Sequence, residues 1–108
     1  MDDKQLGEIT SRIRASGYDG ELRLWKGGDF EVIGKAPSRG EFLRFQEMAT
    51  DPKKRSKATE ALVRACIVYP PGAELEAMLD KKPGLALTFG EKLVELAGAG
   101  VEVEEKKL

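Results

Sequence analysis

Lys53, Lys54, Arg55 and Lys57 form the one basic cluster of the chain. Such a cluster could contact a phosphate backbone. Positive charge is unfavourable at the start of a helix, however, and Asp51 and Glu60 partly neutralise it, so a solvated helix end competes with that reading. Cys66 is the single cysteine and there is no histidine. A thiol nucleophile needs a base, and Cys66 falls on an apolar helical stripe with none nearby, so it reads as a small core residue. The missing imidazoles also remove Ser-His-Asp catalysis and imidazole zinc sites. Gly27-Gly28 leads into no Lys-Ser/Thr at a helix head, so no phosphate loop is present. Asp80 to Glu91 lacks the alternating carboxylates of a calcium loop. Glu102, Glu104 and Glu105 cluster, but an alternating exposed tail explains them. The expectation is a protein without enzyme activity, cofactor or metal, which acts by binding.

The composition sets limits on what can be bound. A chain of 108 residues with 41% hydrophobic and 34% charged residues has the size of one domain, and folding it should bury roughly two-thirds of its unfolded surface. The 18 Lys and Arg against 19 Asp and Glu give a net charge of -1. That balance argues against a dedicated nucleic-acid or membrane-surface binder. One cysteine excludes an internal disulfide and suits a reducing compartment. The start, MDDKQLGEIT, is polar rather than a secretory leader, and no apolar run is long enough to span a bilayer. A soluble, cytoplasmic protein is expected.

Those residues need elements to position them. Leu6, Ile9 and Ile13 recur at helical spacing from Asp3 to Ser16, with Gly17 where a helix stop belongs. A hairpin follows: Leu22 and Leu24 alternate with Arg23 and Trp25, and Phe30 and Val32 with Glu31 and Ile33. A three-residue loop, Lys26 to Gly28 with Gly28 left-handed, would set Leu24 opposite Phe30, Leu22 opposite Val32 and Arg23 opposite Glu31. Trp25 and Ile33 would then lie on the face away from the core, as candidate partner anchors. Two strands need a helix or another chain to complete them. Ser38 to Glu41 spells a capping box ahead of Phe42, Phe45 and Met48. Asp51-Pro52 starts the next helix, whose stripe runs through Ala58, Leu62, Ala65, Cys66 and Tyr69 to its stop at Pro70. Tyr69 could present its hydroxyl at the surface. Leu75, Met78 and Leu79 carry a fourth helix, ending before Pro83. Leu85, Phe89, Leu93, Leu96 and Ala97 carry the last, closed by Gly98, with a close helix crossing at Gly90. Val101 to Leu108 is a charged tail, either a short extra strand or a disordered end.

The predicted fold is α+β and predominantly α, an N-terminal helix and hairpin packed on a bundle of about four short helices. Residues 1–98 form one domain, with the helix and hairpin in 1–35 and the helical part in 36–98, and 99–108 is the tail. Pro37-Ser-Arg-Gly-Glu-Phe-Leu-Arg-Phe45, a basic turn, Ala61-Leu-Val-Arg-Ala-Cys-Ile-Val-Tyr-Pro70, Glu74-Leu-Glu-Ala-Met-Leu79, Pro83-Gly-Leu and Glu91-Lys-Leu-Val-Glu-Leu-Ala-Gly98 follow one another in this order. That pattern resembles the small tail assembly chaperones of tailed bacteriophages. The resemblance implies binding to the phage tape measure protein in the host cytoplasm, with the tail tube protein as a second partner and self-association as a further expectation. Met78 would suit a surface that accepts varied helices. A small helical DNA-binding or regulatory protein using Lys53 to Lys57, or a structural subunit of the phage particle, are the rival expectations.

Overall fold

The computed structural model describes all 108 residues. Its elements are α1 (Asp3–Ala15), β1 (Leu22–Lys26), β2 (Glu31–Lys35), α2 (Arg39–Thr50), α3 (Arg55–Cys66), β3 (Ile67–Tyr69), α4 (Gly72–Lys81) and α5 (Gly84–Leu96). The fold is α+β and predominantly α. A three-stranded antiparallel sheet of order β1-β2-β3 has the four helices α2 to α5 on one face and α1 on the other.

Local signals set most of the helix ends. Ser38 Oγ accepts the Glu41 N–H at 3.1 Å while Glu41 Oε1 accepts the Ser38 N–H at 2.9 Å, the capping box the sequence spells. A second such box, Asp2 with Gln5, starts α1 and was not anticipated, although Asp-x-x-Gln was legible. Gly17 and Gly98 take φ values of +103° and +100° just past α1 and α5, where residues with a Cβ would be strained.

The hairpin corrects the expected register. Gly27 to Phe30 make a four-residue connection in which Gly27 N–H donates to the Phe30 carbonyl at 3.0 Å. Gly28 does not adopt a positive φ. Leu24 therefore pairs with Ile33, Trp25 with Val32 and Arg23 with Gly34. Tertiary contacts explain the longer loop. Phe30 leaves the ladder to stack edge-on against Phe89, with ring centroids 5.4 Å apart. Asp29 is held by Lys82 at 2.8–2.9 Å. The pairing has moved three positions along β2, and an odd shift exchanges the two faces of that strand relative to β1. Trp25, Val32 and Gly34 thus face the helices, while Leu22, Leu24 and Ile33 face α1.

The third helix also ends earlier than expected. It stops at Cys66, and Ile67–Tyr69 becomes β3, with Ile33 opposite Tyr69 across an irregular ladder. Ile67 and Val68 are β-branched, and the residue before a proline avoids helical geometry. The free edge of β2 supplied the hydrogen bonds that the last helical turn would have made.

One hydrophobic core joins β2, α3, β3, α4 and α5 through Val32, Leu62, Val63, Cys66, Ile67, Leu75, Leu79, Ala86, Phe89 and Leu93. The close crossing at Gly90 is present: a Cβ there would run into the Thr59 methyl of α3. Ile33 is only 2% exposed yet stands outside that core cluster. It is covered from the other side, where Ile9 and Ile13 of α1 share a cleft with Lys35 and Tyr69. Residues 101–108 are exposed and carry no helix or strand.

Candidate functional site

Tyr69 closes β3 immediately before Pro70-Pro71, and the cis Tyr69–Pro70 peptide leads into α4. Its side chain separates two clefts. One, of about 560 Å³, lies between α1 and β3 and is lined by Ile9, Ile13, Tyr18, Lys35, Val68 and Pro71. The other, of about 410 Å³, lies between the hairpin tip and α4, with Phe30, Pro70, Met78 and Leu85 as its apolar surface. Tyr69 and Glu74 border both. Together the clefts form a groove along the sheet edge and α4.

The rim of this groove carries both signs of charge. At the hairpin tip Asp29 is paired with Lys82, whose ammonium holds the Asp29 carboxyl below its ordinary range. Glu31 and Lys81 stand beside them. At the other end the Lys35 ammonium lies 5.6 Å above the centre of the Tyr18 ring and 3.4 Å from the Glu41 carboxylate. Burial pulls the Glu41 carboxyl upward, but the Ser38 N–H and Lys35 outweigh it and leave Glu41 below its ordinary value. Tyr18 donates its hydroxyl proton to the Glu21 carbonyl at 2.8 Å and accepts the Ala36 N–H at 3.1 Å. That pair of bonds ties the loop after α1 to the sheet.

Of the residues picked out as partner anchors, the structure brings Tyr69 and Met78 together in the groove. Trp25 and Ile33 lie elsewhere, because the register turns both inward. Trp25 packs over Gly34 and against the core, and Ile33 lies beneath α1. Lys53 and Lys54 are exposed on the turn between α2 and α3, and Arg55 and Lys57 are exposed on the first turn of α3. Asp51 caps that turn, its carboxylate accepting the Lys53 N–H at 2.9 Å. Arg55 reaches back so that its Nε donates to the Ala49 carbonyl at 3.1 Å, capping α2. The cluster thus has a structural task in at least one of its members. Cys66 is fully buried, and burial pushes its thiol up to about 12.

Sequence reasoning missed Phe30, Leu85 and Glu74 as groove residues, since only the folded hairpin brings them beside Tyr69. It also missed a second apolar groove of about 440 Å³ between α2 and α3, floored by Phe45, Met48, Ala61, Leu62 and Ala65. Phe42, Phe45 and Met48, the apolar side chains of α2 behind the capping box, are only half-buried. No helix is long and apolar enough to cross a membrane.

A family model described as a domain of unknown function, DUF6848, matches residues 26–106. Among solved structures, the uncharacterised protein rbstp2171 from Bacillus stearothermophilus superposes with a TM-score of 0.69. The match covers 90% of this chain and 99% of that one at 22% identity, a likeness of fold. No curated protein matches the chain.

Proposed function

The chain belongs to the DUF6848 family, and we propose that it is a non-enzymatic binding protein that holds an amphipathic helical segment of another protein. One observation carries this reading: Tyr69 and Met78 share a groove with Phe30 and Leu85, apolar along its floor and charged along its rim. Helix-in-groove recognition uses this arrangement, with anchors on one face of the ligand helix entering apolar hollows. The ten residues of α4 give a wall about 15 Å long, enough to meet about three turns of a partner helix. Met78 adapts its shape to different side chains at low cost. The only thiol is held protonated in the core, where it packs rather than acts as a nucleophile.

In its finer form the proposal is a tail assembly chaperone acting in the host cytoplasm. The held segment belongs to the phage tape measure protein, and the tail tube protein is the second partner. The test is a titration of fluorescein-labelled tape measure helices into the purified chain, read by anisotropy. The expected result is saturable binding that changes little with salt and weakens about tenfold in Met78→Glu, compared at a temperature where circular dichroism shows the variant folded, because Met78 also packs on the core. No binding to any such segment overturns the chaperone reading. Steeply salt-dependent binding to duplex DNA, lost on changing Lys53, Lys54 and Lys57 to Glu, replaces it with the DNA-binding rival. Recovery of the chain in purified virions replaces it with a structural subunit.

A further inference from the structure

β1 is an edge strand, and its outer side has no backbone partner. The Glu21 carbonyl and the Gly27 N–H bond toward β2, so by alternation Arg23 and Trp25 do so as well. The N–H and C=O groups of Leu22, Leu24 and Lys26 therefore point away from the sheet. One of them, the Leu22 carbonyl, is met by the Arg23 guanidinium at 3.1 Å. Open edges of this kind template the addition of another strand.

The chain also carries an unpaired segment patterned like a strand. Val101-Glu-Val-Glu104 alternates apolar and charged residues before the charged Glu105-Lys106, and Val101 and Val103 are 66% and 86% exposed. Set antiparallel to β1 with Val103 opposite Leu24, this segment brings Glu104 opposite Arg23 and Lys106 opposite Glu21. Arg23 and Glu21 already pair at 3.1 Å, so the added strand would extend an alternating row of charges. Each opposite-charge or apolar cross-strand pair favours the addition. Val101 and Val103 would lie on the face of Leu22 and Leu24, which are themselves only half-buried.

We infer that residues 101–106 add as an antiparallel strand to β1 of a second copy of this chain, in a reciprocal exchange that closes a twofold dimer. The direction of α5 excludes antiparallel pairing within one copy. Lys82, just ahead of α5, holds Asp29 at the hairpin tip; Phe89 stacks on Phe30, and Leu93 lies against Gly34. The helix thus runs from the tip of the hairpin to its base. Residue 101 follows Gly98 closely, its N–H bonded back to the Gly98 carbonyl, so it leaves from the base, where β1 begins. To run antiparallel along its own β1 the segment would first have to reach the tip, about 17 Å away. A second copy meets no such restriction, and a twofold exchange covers both edges at once.

The test is the oligomeric state of the full chain, measured by sedimentation over a hundredfold range of concentration. The expected result is a monomer–dimer equilibrium whose dissociation constant rises at least about tenfold in Val103→Asp, with an unchanged thermal melt because Val103 is exposed in the monomer. Arg23→Glu should weaken the dimer likewise, and mixing that variant with Glu104→Lys should restore both exchanged contacts in a heterodimer, one with the native charges and one with the charges reversed. A monomer at every concentration overturns the inference, including one whose residues 101–106 are protected from hydrogen exchange by their own β1. A dimer insensitive to Val103→Asp overturns it equally.

Discussion

The indole of Trp25 lies over Gly34, one step diagonally across the β1–β2 ladder, and fills the space that a side chain at 34 would need. Leu93 of α5 closes the same space from the helical side, with its Cδ2 only 3.4 Å from where a Cβ would sit. Gly34→Ala should therefore destabilise the fold by about 1–3 kcal/mol through overpacking. Gly28→Ala, at a site with open space around it, should change stability little. Urea titrations of the two variants, followed by the fluorescence of the single tryptophan, check the contrast.

At Gly90, helix propensity and packing oppose one another. An alanine there would gain about 1 kcal/mol of propensity, but its Cβ meets the Thr59 methyl. Gly90→Ala alone should be neutral or destabilising. Combined with Thr59→Ala it should recover more than the sum of the single changes, a coupling visible in a double-mutant cycle.

Cys66 should resist modification in the native state. Its thiol is pushed up to about 12 by burial, against an ordinary value of 9.0, so at pH 8 it stays protonated and shielded. Iodoacetamide should label it only at the rate of opening, and quickly in denaturant. The same shift carries a sign for stability: above about pH 9 the unfolded chain loses this proton while the folded chain keeps it, so stability falls with rising pH until about 12. Cys66→Ser or Cys66→Ala, compared across this alkaline range, should flatten the loss.

Acid should act in the opposite sense. The hydrogen bond and charge of Lys82 hold Asp29 below its ordinary 3.8, and Arg64 holds Glu76 below 4.5. A depressed carboxyl contributes stability above its unfolded value, and this is lost as pH falls through the folded one. Both pairs are exposed, so the contribution is small and salt-sensitive. The melting temperature should hold from pH 7 to about 5 and decline below about 4, with Lys82→Met and Glu76→Gln each removing part of the decline.

Helix ends marked by short-range chemistry could be read from the chain alone. Ser38 with Glu41, Gly17, Gly98 and the crossing at Gly90 all act through neighbours in sequence or through the absence of a side chain. The register of β1 on β2 could not be read, because it depends on where Phe30 goes. Alternation alone leaves Phe30 in the strand, whereas the folded chain spends it on Phe89, more than fifty positions away. The face assigned to Trp25 and Ile33 follows from that one choice. β3 was hidden for a related reason: Ile67 and Val68 suit a buried helix as well as a strand, and only the open edge of β2 decides. In the groove, Tyr69 could be picked out by its place just before Pro70 and Met78 by its adaptable side chain, while Phe30, Leu85 and Glu74 become neighbours only through folding.

The layer formed by α1 differs from the rest of the molecule, since none of its residues is fully buried although it shields Ile33. A chain truncated before Leu22 would keep every member of its ten-residue core and yet uncover a greasy strip along Leu22, Leu24 and Ile33. Such a fragment should fold and then precipitate, which makes the first helix less a support for the architecture than the coat that keeps it in solution.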